Sequence, residues 1–392
     1  MKYNIPVVVT QTTTNSEASY YYPEKGDTGI LLQRQGGPCL WQSKNGRVTY
    51  VEGLEFTPLP AREALVVRRT LRRNKAVAAG ISLGSDPEVM VLVDGRVLPA
   101  WKFLPKKTSR ATGEQFWDGF QAEFTIEPSG CISFVVDAVQ DGLGKVLAKA
   151  RDKHPTAKLT HECVVEVPRE EMELASDEHS ALGCAPSSNI YGEEALSVPD
   201  PRSLALRFAG CHVHIGIGKI GVEDATPIVK ALDQVIGILG TSLLAGLEDG
   251  RRRIFYGKAG EYRLPPHGIE YRVPSSAWLV HPVAMHLLFE LARSATLHGA
   301  LGLPVWGKTS SSKIRAIINE CDVGGARKLM TQTLLENSLR YLPMSVQHKA
   351  RILITTGVKE LLPLDMEKNW YIGRKWMYHS ESTDCSLSKV KL

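Results

Sequence analysis

Several stretches in the middle of the chain alternate between apolar and polar residues, with the two-residue period of a half-buried β-strand. The predicted strands cover residues 88–93, 96–100, 118–127, 159–167, 204–217, 261–263 and 269–273. In 204–217, Cys211, Val213 and Ile215 fall on one predicted face, and His212 and His214 fall on the other. The alternation therefore predicts a core face and a face of polar side chains that could bind ligands.

Turn signals join neighbouring strands. Asp94-Gly95 stands between β-branched residues and predicts a β-hairpin. Pro265, Pro266 and Gly268 separate the last two predicted strands and indicate a tight turn there.

Apolar residues at helical spacing predict helices between and after these strands. The predicted helices cover residues 61–79, 131–152, 228–247, 281–301, 310–319 and 325–342. The apolar face of 228–247 predicts an amphipathic helix that packs on the sheet.

The pattern divides the chain into three regions. Residues 1–79 are predicted to form a small β-rich N-terminal unit with a linking helix, and Gly80 marks a domain boundary. Residues 80–308 contain the alternating strands, and residues 309–392 are mainly helical. Residues 176–203 have no periodicity and are too long for an ordinary connection, which favours a functional loop or lid.

Composition narrows the function classes. The 392 residues carry a formal net charge of +5, from 47 basic and 42 acidic residues, so bulk charge predicts neither nucleic-acid nor membrane binding. The seven cysteines form no CxxC pair, and the uncharged apolar stretch 235–247 is too short to span a bilayer. We therefore expect a cytoplasmic protein with reduced thiols.

Two nucleotide-binding patterns occur literally but lack their structural context. The segment 302–309 fits the Walker A expression, but a helix precedes it and Pro304 removes a backbone donor. The segment 216–221 fits GxGxxG, but the predicted helix is still running where a second strand with an acidic end is required. Neither pattern predicts a phosphate-binding loop here.

Four segments place residues able to bind metal ions or phosphates on one predicted face. They contribute Asp86 and Glu88; Glu123 and Glu127; His212 and His214; and Glu261, Arg263, Glu270 and Arg272. A single HxH strand is often a hydrogen-bonded histidine pair, and a single ExR is often a surface ion pair. Like charges from four segments on one face repel each other unless cations or substrate phosphates lie among them. The set therefore predicts divalent ions.

The wording and order of four blocks resemble a known family. GSDPEVMV (84–91), DGFQAEF (118–124), GCHVHIG (210–216) and GEYRLPPHGIEYRVPSSAW (260–278) are similar to the phage-type carboxylate-amine ligases (COOH-NH2 ligase, type 2). These ligases are grouped with glutamine synthetase and the glutamate-cysteine ligases. The resemblance covers about residues 80–300.

The resemblance implies an α+β fold in which helices pack on an antiparallel sheet that curves around a funnel. Residues 80–308 would form the catalytic domain and bind ATP with Mg²⁺. A phage origin would place the protein in the cytoplasm of the host cell. Relatives of this fold often assemble, which leaves a homo-oligomer open.

The resemblance also implies roles for individual residues. The metal ligands would be Glu88, Asp86, Glu123, His212, His214 and Glu270. Nucleotide phosphates would contact Arg272, Arg263, Arg253 and His214, and the catalytic residues would be Arg272, Arg263 and Glu123. Asn189, Tyr191 and Glu193 of the loop would shape the acceptor site. We expect these side chains to converge on one cavity that admits a nucleoside triphosphate.

The implied reaction has two steps, in which a carboxylate attacks the γ-phosphate of ATP and an amine then displaces phosphate to leave an amide. The partners would be carboxylate and amine substrates, as small molecules or peptides. Three alternatives stay open: a kinase for carboxylate or guanidino groups on the same scaffold, a zinc-dependent amidohydrolase, and a scaffold protein without catalysis.

Overall fold

The computed structural model describes residues 5–12, 28–34, 39–43, 48–51, 54–58, 81–107, 113–182, 187–193, 200–302, 309–330, 332–339 and 344–372. The chain divides into two compact units, Met1–Ile81 and Ser82–Leu392. The predicted boundary at Gly80 and the predicted helix 61–79 lie outside the described residues. The predicted separation of 309–392 from the catalytic region stays a prediction.

The first unit contains an antiparallel sheet of five described strands in the order β4-β3-β2-β1-β5. The strands are β1 (Ile5–Thr12), β2 (Thr28–Arg34), β3 (Cys39–Ser43), β4 (Val48–Val51) and β5 (Leu54–Pro58). The prediction of a small β-rich N-terminal unit is confirmed.

The second unit is built on a larger antiparallel sheet with the order β12-β15-β16-β14-β6-β9-β8, and both β7 and β10 pair with β6. Its strands are β6 (Ser82–Val93), β7 (Arg96–Val97), β8 (Gln115–Asp118), β9 (Gln121–Phe124), β10 (Lys158–Thr160), β12 (Ser188–Asn189), β14 (Cys211–Gly216), β15 (Glu261–Arg263) and β16 (Gly268–Tyr271). A separate pair is formed by β11 (Val164–Glu166) and β13 (Leu206–Phe208). With the helices below, this confirms the α+β class.

The structure divides each of three predicted strands between two shorter strands, so the predicted bounds of those three were wrong. Residues 118–127 do not run straight, because a turn with Gly119 at φ 62° folds β8 back onto β9. In 159–167, β10 pairs with β6 whereas β11 pairs with β13. In 204–217, the strand changes partner at Gly210, where a Cβ atom would lie 2.7 Å from Nε2 of His212.

The helices surround this sheet and continue to the C-terminal region. They are α1 (Ile132–Lys153), α2 (Arg169–Leu174), α3 (Asp177–Ser180), α4 (Val222–Leu232), α5 (Ile238–Leu243), α6 (Arg252–Phe255), α7 (Pro282–Leu301), α8 (Ser311–Asn319), α9 (Val323–Leu329), α10 (Gln332–Leu339), α11 (Met344–Thr356), α12 (Val358–Leu361) and α13 (Met366–Asn369). The predicted helix 325–342 is therefore divided between α9 and α10.

One face of the large sheet forms the core. Helix α1 packs on β6 and β8, α4 on β16, and α7 on β14. Val213, Ile215, Ile269 and Tyr271 have no exposed surface, as the alternation predicted. Because successive strand residues point to opposite faces, this burial directs His212, His214 and Glu270 to the other face.

A buried carboxylate connects the helix layer to the strands. The predicted helix 228–247 contains a π-helical segment from Asp233 to Gly237, between α4 and α5. Asp233 accepts hydrogen bonds from the hydroxyls of Tyr191 and Tyr271, each at 2.8 Å, and from the N–H of Gly260 at 3.1 Å. Burial raises the pKa of Asp233 to about 6. The contact fixes residues 187–193 and the strands β15 and β16 against the helices.

The turn between β15 and β16 requires glycine at position 268. Gly268 has φ 144°, and a Cβ atom there would lie 2.1 Å from the carbonyl oxygen of Ile215. Gly218 also has a positive φ, of 82°, but a Cβ atom there would meet nothing within 4 Å. Substitutions at the two positions can therefore be compared to distinguish the cost of backbone strain from the cost of steric overlap.

We predict that Gly268→Ala lowers the free energy of unfolding by about 2–4 kcal/mol, because it adds an atomic overlap to backbone strain. The matched control Gly218→Ala should cost about 1 kcal/mol through strain alone. Thermal unfolding of the three proteins measures the difference. Equal losses in the two variants would contradict the close approach of Gly268 to β14.

Candidate active site

The strand register brings the predicted acids and histidines onto the face of the sheet that points away from the apolar core. In the centre, β14 pairs with β6 on one side and with β16 on the other. His212 lies opposite Asp86, and His214 lies opposite Glu270. On the next strand, Arg263 lies opposite Glu270. Residues distant in sequence therefore become lateral neighbours.

A first group of potential ligands consists of Asp86, His214 and Glu270. One nitrogen or oxygen atom from each lies within 4.8 Å of the other two. His214 Nε2 is 3.3 Å from Asp86 Oδ2. His212 Nδ1 borders the group, at 3.1 Å from Asp86 Oδ1 and 3.7 Å from Glu270 Oε1. This group has the dimensions of a metal-ion site.

A second group consists of Glu88, Asp118 and Glu123, again with ligand atoms within 4.8 Å of one another. Glu88 and Glu123 lie opposite each other on β6 and β9. Glu88 Oε2 accepts the N–H of Gly210 at 2.5 Å. The Lys107 ammonium lies 3.1 Å from Glu123 Oε1 and supplies a positive charge. We refer to both groups and His212 together as the acid–histidine cluster.

Sequence reasoning did not select Asp118 as a ligand. It treated Asp118-Gly119 as the start of a straight strand, whereas the pair begins a hairpin turn that places Asp118 beside Glu88. The Asp-Gly dipeptide is a hairpin signal and was interpreted as one at residues 94 and 95. Applying the same rule at Asp118 would have found this ligand. Lys107 had no comparable signal, because it is one of several basic residues in a loop.

Two predicted arginines lie at the first group. Arg272 has no exposed surface, and its Nε is 3.5 Å from Glu270 Oε1. Arg263 is 29% exposed, and its Nη1 is 3.7 Å from the same oxygen. Arg272 Nη2 also donates to the Tyr256 hydroxyl at 2.9 Å, and this hydroxyl contacts Nε2 of His212. Tyr256 was not predicted and links the arginine to the histidine.

Arg253 contacts a different part of the structure. Its guanidinium donates to the carbonyl of Val273 at 2.5 Å and to that of Gly257, and it lies 3.4 Å from Glu248. These partners hold the segment after β16 against α6. The predicted role of Arg253 in phosphate binding stays a prediction.

Electrostatics differ between the two groups. Burial alone would raise the pKa of Asp86, but His214 and His212 hold that pKa well below its ordinary value. Burial would lower the pKa of His214, but Asp86 beside it raises that pKa. Asp86 and His214 therefore each favour the charged form of the other.

The second group is short of positive charge. Burial raises the pKa of Glu88 to about 6 and also raises the pKa of Asp118. Burial and the carboxylates of Asp86, Glu88 and Asp118 raise the pKa of Glu123 well above its ordinary value, although Lys107 opposes this. A divalent cation would remove this repulsion.

The chemistry of the donor atoms fits a divalent cation. Within the described residues, Asp86 Oδ1, Asp118 Oδ2, His214 Nε2 and Glu270 Oε1 are buried and make no hydrogen bond of normal geometry, although Asp86, His214 and Glu270 take part in ion pairs. Buried polar atoms are normally paired, so these atoms are suited to bind an ion. A set dominated by carboxylate oxygens with a single imidazole suits Mg²⁺ or Mn²⁺.

Two cavities of the described structure have volumes of about 180 and 580 Å³. None of the residues in the acid–histidine cluster lines either cavity. The predicted metal ligands converge, but they do so on a sheet face outside these two cavities.

The predicted acceptor loop contacts the helix layer at its described residues, 187–193. Asn189 donates to the carbonyl of Ala259 at 2.9 Å, and Tyr191 donates to Asp233. Glu193 pairs with Arg315 of α8 at 2.5 Å. These contacts anchor the segment, and its role at the acceptor site stays a prediction.

Comparison with known families supports the resemblance drawn from the motifs. Residues 205–352 match the family described as phage phiEco32-like COOH.NH2 ligase-type 2. The matched stretch contains the HxH strand and the ExR strand, and the acids of β6 and β9 lie before it. The predicted resemblance to this ligase family is confirmed. No curated protein sequence matches the chain significantly.

Three similar solved structures share little sequence identity with the chain. GmaS in complex with ADP is 12% identical, with 73% of this chain and 72% of that chain covered and a TM-score of 0.35. A bifunctional glutathione synthetase from Pasteurella multocida is 10% identical, with coverages of 77% and 52% and a TM-score of 0.37. A novel glutamine synthase homolog is 11% identical, with coverages of 85% and 77% and a TM-score of 0.29.

Among the described residues, no helix has both the length and the apolar character needed to cross a membrane.

The raised pKa of Glu88 predicts a pH dependence of stability in the metal-free protein. The pKa rises from 4.5 to about 6 on folding, so between these values the folded state binds more protons than the unfolded state. The free energy of unfolding therefore falls as pH rises through this window, by about 2 kcal/mol from this group.

We expect Glu88→Gln to remove this component, because the amide oxygen can still accept the N–H of Gly210 but cannot ionise. Denaturant unfolding at pH 4.5 and pH 6.5, with a chelator present, measures the change. Glu166→Gln is the control, because Glu166 is exposed on β11. Identical pH profiles for wild type and Glu88→Gln would contradict the assignment.

Proposed function

We propose that the chain is an ATP- and Mg²⁺-dependent carboxylate-amine ligase that forms an amide bond through an acyl phosphate. The observation that carries the proposal is the pair of three-residue ligand groups on one sheet face, with Arg263 and Arg272 beside Glu270. The match of residues 205–352 to a ligase family supports the same reaction class.

The residues suit each part of this reaction. Asp86, His214 and Glu270 would hold one ion, and Glu88, Asp118 and Glu123 would hold another. Mg²⁺ bound there would neutralise phosphate oxygens and thereby make the γ-phosphorus more open to attack.

The arginines would stabilise charge on the transferred group. Arg263 is partly exposed and its guanidinium can reach a bound phosphate, whereas Arg272 is buried and its guanidinium is fixed by Glu270 and Tyr256. Fixed donors stabilise developing charge without reorganising during the reaction. The guanidinium of Arg272 would therefore stabilise charge on the transferred phosphate from a position that is already fixed before the reaction.

The bonds of the reaction balance in two steps. A substrate carboxylate oxygen bonds to the γ-phosphorus, and ADP leaves with the electrons of the broken P–O bond. The amine nitrogen then bonds to the acyl carbon, inorganic phosphate leaves, and the nitrogen loses a proton. Glu123, which the sequence predicts to be catalytic, is the carboxylate that we assign as the acceptor for that proton.

The donor set favours this proposal over a zinc amidohydrolase. The first group offers one imidazole and two carboxylates, and the second offers three carboxylates. Zinc sites of hydrolases usually rely on several nitrogen ligands, whereas oxygen-rich sets suit Mg²⁺.

The decisive experiment measures ADP release with a library of carboxylates and amines, and it identifies the amide product by mass spectrometry. A ligase requires both substrates. ADP formed with a carboxylate and no amine would favour a kinase, and zinc that stays bound through purification while Mg²⁺ and ATP fail to bind would favour the hydrolase.

We predict that Glu270→Gln and Arg272→Ala each lower the rate of ADP release by more than about a hundredfold, because the first removes a carboxylate that would bind a metal ion and the second removes a positive charge beside the transferred phosphate. Circular dichroism and thermal unfolding check that the variants are folded. Arg251→Ala is the matched control, because Arg251 is exposed and pairs with Asp249. Full activity of Glu270→Gln would remove the site assignment.

We also predict that ATP with Mg²⁺ raises the melting temperature, because a ligand that binds only the folded state stabilises it by mass action. At a concentration a hundred times the Kd, the stabilisation is about 2.7 kcal/mol. ATP with a chelator should give a smaller shift. No shift at millimolar ATP with Mg²⁺ would favour a scaffold protein without catalysis.

A further inference from the structure

The imidazole of His214 has different surroundings at its two nitrogens. Nε2 faces the first ligand group, at 3.3 Å from Asp86 Oδ2. Nδ1 faces away from it and lies 3.2 Å from Nε2 of His267. The two rings are nearly parallel, with 5.4 Å between their centroids and 23° between their planes. No sequence pattern had selected His267.

A neutral imidazole carries one proton, on either nitrogen, and only the other nitrogen can bind a metal ion. If His214 binds an ion through Nε2, its proton must lie on Nδ1. That proton then points at His267 Nε2, which can accept it in a hydrogen bond. The 3.2 Å separation of the two nitrogens allows the tautomer that metal binding through Nε2 requires.

The backbone fixes His267 in this position. Its carbonyl accepts the N–H groups of Ile217 and Gly218, at 3.0 and 3.1 Å, so the turn is attached to the end of the strand that carries His214. Gly268 allows this attachment through its positive φ and its close approach to Ile215. The two histidines are therefore held by one unit, although His267 itself is exposed.

The neighbouring histidine has a parallel arrangement. His212 directs Nδ1 towards Asp86, and its Nε2 contacts the hydroxyl of Tyr256. In both cases a residue between positions 251 and 268 contacts the nitrogen that faces away from the acids. An outer partner for each imidazole is thus a repeated feature of the site.

We propose that His267 is a positioning residue that orients His214 and holds its proton on Nδ1, so that Nε2 is presented to a divalent ion. This inference rests on the proposed function, which assigns Asp86, His214 and Glu270 to that ion. Outer partners of metal-bound histidines typically change metal affinity by 10–100-fold when they are removed.

The test uses the full-length protein and two substitutions of similar size. His267→Leu removes the acceptor, whereas His267→Gln places an amide oxygen close to the position of Nε2. Isothermal titration with Mn²⁺ in the absence of ATP measures metal affinity directly. We expect affinity to fall about 10–100-fold in His267→Leu and to recover in large part in His267→Gln. His348→Leu is the control, because His348 is exposed on α11.

A spectroscopic measurement tests the hydrogen bond itself. In protein with ¹⁵N-labelled histidine and saturating Mg²⁺, His214 should show a proton on Nδ1 that exchanges slowly with water. The signal should persist in His267→Gln and disappear in His267→Leu. A proton on Nε2 of His214 in the wild type would overturn the inference.

The outcomes separate this inference from the proposed function. Failure of the wild type to bind Mn²⁺ or Mg²⁺ would contradict the proposed function. Binding of Mn²⁺ by the wild type with equal affinity in His267→Leu would overturn the role of His267 and leave the proposed function intact. A glutamine variant as weak as the leucine variant would also count against a hydrogen-bonding role.

Discussion

The sheet holds several carboxylates close together on one largely buried face, and their mutual repulsion is the constraint that the rest of the site must satisfy. Asp86, Glu88, Asp118 and Glu123 come from three strands, and burial opposes the ionisation of each. Water cannot screen these charges well, so nearby cations must do so. His212 and His214 lie beside Asp86, whereas in the described structure the second group has one salt bridge, between Lys107 and Glu123. Because buried carboxylates outnumber the positive groups beside them, the site is better suited to binding cations than to stabilising the fold.

The same alternation that builds the core also fixes the site. On β16, Tyr271 points into the core and its hydroxyl binds Asp233, while Glu270 before it faces the cluster. A shift of one residue in register would exchange these environments and bury a carboxylate among apolar side chains. The core contacts of Tyr271 therefore specify the position of Glu270 as strongly as any contact within the site. Asp233 extends this constraint to β15 through Gly260 and to residues 187–193 through Tyr191.

The sequence could predict which face of a strand a residue lies on, but it could not predict which distant strand or side chain that residue contacts. Alternation along 204–217 correctly placed His212 and His214 on one face and Val213 on the other, because the period of a strand is a local property. The points where strands end depend on pairing with distant segments, which is why the breaks at Gly119 and Gly210 were missed. Asp118 had a local signal, whereas His267 and Tyr256 had none: their contacts arise only when the segment after α5 returns to β14. The predicted metal ligands converge, and their roles stay predictions.

The two ligand groups are not electrostatically independent, and Asp86 connects them. It belongs to the first group, yet its charge also raises the pKa of Glu88 and Glu123 in the second. A cation bound beside Asp86 would weaken that influence and lower the cost of ionising both glutamates. Such coupling follows from placing β6 between β14 and β9, because Asp86 and Glu88 lie on the same face of one strand. The geometry of a single strand thus links the part of the site that carries the imidazoles to the part that carries only acids.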